Sequence, residues 1–189
     1  MKKLVFLHGS GANKDAYSNL MKIVAHHFNA KLLSFNAPFE HTEKAMKYKW
    51  FNKIENGGRR DAVENEYAYS LQYIKKTLLS IDTNTKNIIL LGHSQGGNMA
   101  VHVGLEIPLK CAISINGDLP YNITYENISN TPIYWFESKK DTYINQERKN
   151  SYTLIKNINN LYYKKLPNST HNDFSDDFIK VLQSDCIKI

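Results

Sequence analysis

The residues best suited to chemistry are Gly92-His93-Ser94-Gln95-Gly96, a G-x-S-x-G stretch. A serine hydroxyl is a weak nucleophile until a base takes its proton, so Ser94 asks for a histidine and for an acid that orients it. Attack on a carbonyl carbon also creates an oxyanion, which needs N–H donors already in place. His171 is the one histidine that follows Asp141 in the chain and is the expected base. Two carboxylates compete for the acid, Asp141 as the favoured one and Asp118 as the alternative. Near the start, His8-Gly9-Ser10-Gly11 forms a second glycine-flanked turn. The N–H groups of Ser10 and Gln95 are the expected oxyanion donors. His26, His27, His41 and His102 read as surface or structural residues, and His93 as the variable residue of the G-x-S-x-G turn. The adjacent pair His26-His27 cannot make an i, i+4 metal site on a helix.

These residues depend on elements that the hydrophobic pattern outlines. Leu4–Leu7, Lys31–Phe35, Asn87–Leu91, Cys111–Ile115, Ile133–Phe136 and Leu161–Leu166 are short apolar runs with little polar alternation. Such runs suit strands covered on both faces. Between them, helical spacing places Tyr17, Leu20, Val24 and Phe28 on one face, and Val63, Tyr67, Leu71, Ile74 and Leu78 on another. Helices are also expected over Gln95–Glu106, over Asn145–Asn157 and around Phe174, Phe178 and Val181. Strands alternating with helices predict a mostly parallel sheet in a three-layer α/β domain, with ligands at the carboxyl ends of the strands.

Ser94 follows an apolar strand and opens a helix, the context of the nucleophile elbow of the α/β-hydrolase fold. Glycines two residues to either side are needed where so tight a turn leaves no room for side chains. Asp141 lies five residues after Phe136, and His171 five residues after Leu166. Both therefore sit at carboxyl ends of strands, in the order serine, acid, histidine that this fold uses. Asp118 ends the preceding strand, a place that also borders the site. The 16 residues from Asn116 to Thr131 are too few for a cap domain. The expectation is thus a minimal α/β-hydrolase fold with an open site, residues 1–189 forming one domain.

Composition narrows the classes further. A net charge of +6 comes from 21 Lys and only 3 Arg, the lysines scattered or in pairs. Bidentate phosphate recognition favours arginine, so the charge reads as solvated surface and not as a nucleic-acid face. The apolar run Leu4–Leu7 is too short for a secretory core, and no run approaches the length of a membrane span. Cys111 and Cys186 make no disulfide framework. These features predict a cytoplasmic protein. No metal or cofactor site is apparent, and the oligomeric state stays open between monomer and homodimer.

Several motifs coincide in order along nearly the whole chain: Leu7-His8-Gly9-Ser10-Gly11, Asn36-Ala37-Pro38, Trp50-Phe51, Gly92-His93-Ser94-Gln95-Gly96-Gly97, Asn116-Gly117-Asp118-Leu119-Pro120, Asp141 with Ile144, and His171. Together they resemble the phospholipase/carboxylesterase family, which includes bacterial carboxylesterases and acyl-protein thioesterases. The resemblance implies hydrolysis of a small-molecule carboxylic ester or thioester without metal or organic cofactor. It implies Ser94 as nucleophile, His171 as base, Asp141 as orienting acid, and the Ser10 and Gln95 backbone as oxyanion hole. Three positions depart from the family pattern. Asn52 stands where Asp usually follows Trp-Phe, the acid loop reads Ser138-Lys139-Lys140-Asp141-Thr142, and Asp118 occupies a usually uncharged place. Small serine hydrolases of the retinoblastoma-binding type are a second, weaker resemblance. Phe39, Trp50, Phe51, Leu119, Tyr121 and Tyr143 are the residues expected to line an acyl-binding site. A catalytically inactive binding protein of the same fold, and a serine peptidase, are the alternative functions.

Overall fold

The computed structural model describes residues 1–57, 59–126, 128–142, 151, 153, 158, 160–184 and 187. In the main sheet the strands are β1 (Lys2–Leu7), β2 (Ala30–Ser34), β7 (Ile88–His93), β8 (Cys111–Ile115), β9 (Ile133–Ser138) and β10 (Leu161–Leu166). They form a six-stranded sheet in the order β10-β9-β8-β7-β1-β2. Every pairing in it is parallel. The helices that cover it are α1 (Ser18–His27), α2 (Glu64–Ile81), α3 (Gln95–Glu106) and α4 (Ser175–Gln183).

Alternation along the strands explains the layers. Side chains point to opposite faces in turn. Val5 and Leu7 of β1, with Ile88 and Leu90 of β7, pack in one core with Tyr67, Leu71 and Ile74 of α2 and Met99 of α3. Leu4 and Phe6, with Ile89 and Leu91, pack in the other core with Met21 and Val24 of α1 and Phe178 of α4. Both faces of β7 are therefore covered, and all six of its residues are buried. This is the three-layer α/β-hydrolase fold, and no helix or strand is described between β8 and β9 where a cap could be inserted.

The sequence pattern did not reveal the excursion between β2 and α2. It contains two antiparallel ribbons, β3 (Phe39–Glu40) with β4 (Tyr48–Lys49), and β5 (Lys53–Asn56) with β6 (Arg59–Ala62). These strands are only two to four residues long and largely polar, so no periodicity marks them. They border the carboxyl end of the sheet. The helix expected over 145–157, apart from residues 151 and 153, lies outside the described residues, as do Tyr143, Ile144 and Cys186.

Candidate active site

Ser94 sits at the turn from β7 into α3 with φ 52° and ψ −120°, a backbone state that a residue with a side chain adopts only at a cost. The flanking glycines make the turn possible. A Cβ on Gly92 would lie 2.0 Å from the Gly96 carbonyl oxygen, and one on Gly96 would lie 2.2 Å from the Leu7 oxygen. Both distances are impossible for packed atoms, so the elbow can exist only with glycine at these two places.

The His171 ring lies between Ser94 and Asp141. Its Nδ1 is 2.6 Å from Asp141 Oδ2 and its Nε2 is 3.0 Å from Ser94 Oγ. A carboxylate can only accept, so Nδ1 carries the proton and Nε2 is left to accept the Ser94 hydroxyl. The Asp141 side chain is fully buried, and the His171 side chain is 14% exposed. Asp118, the rival acid, points elsewhere. Its Oδ2 accepts from Lys53 Nζ at 2.6 Å, and its side chain is 4% exposed.

The loops that carry the acid and the histidine are tied to each other. Lys139 N–H donates to the Leu166 carbonyl at 2.9 Å and Lys140 N–H to that of Ser169 at 3.0 Å. Asn116, buried and left-handed at φ 54°, spans the two loops. Its Oδ1 accepts from Ser138 N–H at 2.7 Å, and its Nδ2 donates to the His171 carbonyl at 2.9 Å. His93 Nε2 donates to the same carbonyl at 2.8 Å, while its ring packs against those of Tyr17, Phe174 and His171. Asp177 of α4 accepts from Asn168 N–H and from Ser169 Oγ, both at 2.7 Å. Sequence reasoning missed Asn116, His93 and Tyr17 as parts of this frame. The Asn116-Gly117 pair at the end of a strand, where asparagine tolerates a left-handed backbone, and the histidine inside the elbow were the signals available.

The first intrahelical bond of α3 runs from Asn98 N–H to the Ser94 carbonyl at 3.1 Å. The Gln95 N–H therefore opens the helix without an acceptor of its own, at its positive end. Ser10 is exposed and lines the same cleft as Ser94 and Gln95. Its loop is fixed from both sides. Trp50 Nε1 donates to the His8 carbonyl at 2.8 Å, Gly11 N–H to that of Tyr48 at 2.9 Å, and Ala37 N–H to His8 Nε2 at 3.0 Å. His8 Nδ1 lies 2.7 Å from the Gly9 carbonyl and must carry the proton there.

His8 is thus held neutral. Burial pushes its pKa below the ordinary value of 6.5, against the opposing pull of the Gly9 hydrogen bond, and nearby Lys47 lowers it further. Because the folded form resists the proton and the unfolded chain does not, His8 contributes stability that is full above about pH 6.5 and is lost as the pH falls towards the folded value. The shifted carboxylic acids, Glu106 and Asp82, pulled down to about 2, and Asp177, also lowered, act only at lower pH. The melting temperature is therefore expected to fall between pH 7 and pH 5, and a His8→Gln variant to lose that slope. A wild-type melting temperature that is flat over this range would contradict it.

The Gln95 side chain joins the elbow to the excursion. Its Oε1 accepts from Trp50 N–H at 2.8 Å and its Nε2 donates to the Phe51 carbonyl at 2.7 Å. Ser70 Oγ donates to the Trp50 carbonyl. This network ties the elbow's Gln95 side chain to the backbone of the Trp50-Phe51 segment.

The pattern of the phospholipase/carboxylesterase family matches residues 1–184. The chain belongs to that family. Among solved structures it is similar to esterase PE8, with 21% identity, TM-score 0.76 and coverage of 97% of this chain and 92% of that one. It is similar to SOBER1 of Arabidopsis thaliana, with 20% identity, TM-score 0.75 and coverage of 96% of each chain. It is also similar to the Bacillus cereus carboxylesterase, with 18% identity, TM-score 0.76 and coverage of 97% and 86%. At these identities the likeness is one of fold. No curated protein matches the chain in sequence.

Against the family pattern, Asn52 now has a physical account. Its backbone N–H and its Nδ2 both donate to the Glu66 carboxylate, at 2.6 Å and 2.9 Å. An aspartate there would face Glu66 with like charge. Of the described residues expected to line an acyl site, only Phe51 borders the Ser94 cleft, and it does so with its side chain buried. Trp50 is fully buried beneath the His8 loop, and Leu119 is buried with its N–H on Ser151 Oγ. Phe39 packs on Tyr69, and neither it nor Tyr121 reaches the cleft. Tyr143 lies outside the described residues. The cleft has a volume of about 700 Å³, and its walls come from the His8 loop, the 41–44 turn, the two ribbons with the link between them, and the Ser94 and His171 turns.

Proposed function

We propose that this family member is a serine hydrolase that cleaves carboxylic esters or thioesters through an acyl-serine intermediate. The observation that carries the reading is the single imidazole set between the Ser94 hydroxyl and a buried carboxylate, at 3.0 Å and 2.6 Å. Ser94 Oγ attacks the carbonyl carbon while His171 Nε2 takes its proton. The carbonyl oxygen, now negative, accepts from the N–H groups of Ser10 and Gln95. As the C–O or C–S bond breaks, His171 returns the proton to the departing alcohol or thiol. Water, deprotonated by His171 in turn, then releases the acid from Ser94. Asp141 holds the ring in the required tautomer and stabilises the imidazolium.

A cytoplasmic location belongs to the same proposal and rests on the two isolated cysteines of the sequence. Among the described residues no helix is long and apolar enough to cross a membrane. Cys111 is a buried, free thiol whose pKa burial pushes up to about 12, which leaves it unreactive. The test combines a fluorophosphonate probe with a panel of acyl esters and thioesters graded by chain length. The expected result is one covalent label per chain, on Ser94, together with turnover of at least one ester class. A chain that neither labels nor turns over any of them is a binding protein. Turnover of peptides alone would make it a peptidase.

A further inference from the structure

We propose that the Ser94 cleft selects esters that carry an anionic group, a carboxylate or a phosphate, beside the scissile bond; this rests on the serine-hydrolase reading above. Lys44, Lys49, Lys53 and Arg60 line the cleft together with Ser94, against the carboxylates of Glu43 and Glu55. Two of these cations are already matched. Arg60 Nε donates to Glu55 Oε1 at 3.0 Å, and Lys53 Nζ to the buried Asp118 at 2.6 Å. Among the described residues, Lys44 and Lys49 have no ion-pair partner, and of the lining carboxylates only Glu43 stands against them.

The placement of the cations is specific. Lys44 Nζ and the His41 ring each come within 3.7 Å of where a Cβ on Gly11 would sit, so both lie over the loop that carries Ser10. Lys49 ends the β4 strand that pairs with the same loop. Lys53 is pinned from behind by Asp118, and an ammonium with one of its three donors so engaged still offers two to the cleft. A long neutral acyl chain laid across this wall would strip water from unpaired ammonium groups without replacing it, which is unfavourable. An anion would instead be paired, and a cleft concentrates the field of such charges. The two departures at Asn52 and Asp118 fit this scheme. Asn52 adds no carboxylate to the cleft, and Asp118 is spent on Lys53 behind the wall.

The test measures kcat/KM of the full chain on two matched pairs of esters, each rate divided by that of hydroxide-catalysed hydrolysis. The first pair is para-nitrophenyl hemisuccinate and para-nitrophenyl butyrate, of equal acyl length, which differ by a carboxylate on the acyl side. The second is para-acetoxybenzoate and phenyl acetate, which differ by a carboxylate on the leaving side. A phosphate arm replaces the carboxylate by para-acetoxyphenyl phosphate. At least one anionic ester is expected to exceed its neutral partner by about tenfold, the effect of one well-placed charge contact, and to lose that lead at high ionic strength. Lys44→Glu with Lys49→Glu is expected to lower the anionic-to-neutral ratio by about tenfold or more; Lys44→Glu alone, at an exposed position, serves if the pair impairs folding. Turnover of neutral esters with no anionic preference, or a ratio untouched by the variants, overturns this inference and leaves the hydrolase reading standing. Absence of any turnover or fluorophosphonate labelling overturns both.

Discussion

Ser94→Ala is expected to lower ester turnover by about 10⁶-fold, the loss seen when the serine of such a unit is removed, with no loss of fold. The substitution deletes only Oγ. The Cβ stays, so the strained φ of 52° is neither relieved nor worsened, and Gly92 and Gly96 still clear the turn. What disappears is the partner of His171 Nε2 at 3.0 Å. The measurement is kcat on the best ester of the graded panel, with circular dichroism and a thermal melt to show that the chain is intact. Rate persisting within about a hundredfold of wild type, in a folded preparation free of wild-type protein, would mean that another group is the nucleophile.

The second large effect separates the two carboxylates. Asp141→Asn is expected to cost about 10⁴ in turnover. An amide in that buried place can donate to Nδ1, which favours the tautomer with its proton on Nε2. That nitrogen then cannot accept the Ser94 hydroxyl proton. Asp118→Asn is expected to cost less than about tenfold on a neutral ester, well below the tautomer effect. Its Oδ2 serves Lys53, and the bond from Asn98 Nδ2 goes to its backbone carbonyl, which the substitution keeps. Measured side by side, the two variants assign the acid. A dead Asp118→Asn together with an active Asp141→Asn would move the acid to the end of β8.

Asn116 shows why the acid was not decided by order along the chain. Both carboxylates follow strands at the same edge of the sheet, and spacing alone leaves both in reach. The pairing of His171 with Asp141 comes from two loops lying side by side, Ser138–Asp141 and Asn168–His171, joined through the Asn116 amide and through bonds such as Lys139 to Leu166. These contacts join residues far apart in sequence, so no local pattern encodes them.

What the sequence determined by itself is the frame and the elbow at its centre. Helix Gln95–Glu106 and strand Cys111–Ile115 have the bounds expected from their apolar pattern, because an element buried on both faces is apolar nearly throughout, while Leu161–Leu166 has its expected bounds as a half-buried edge strand that carries Lys164 and Lys165. The elbow is legible because one of its glycines, Gly92, answers a steric demand made within five residues, by the Gly96 backbone; the demand on Gly96 comes from Leu7 at the end of β1. The order of Ser94, Asp141 and His171 is legible because a parallel sheet brings the ends of its strands to one edge. Only the tertiary structure decided the rest. Trp50 reads as an acyl-contacting aromatic but is buried under the His8 loop, and the charged wall of Lys44, Lys49 and Lys53 arises from short polar ribbons with no period to read. Such ribbons and the link between them are fixed by bonds to distant partners, Gln95, Glu66 and Ala12 among them, and a linear pattern carries no record of which partner a backbone N–H will find.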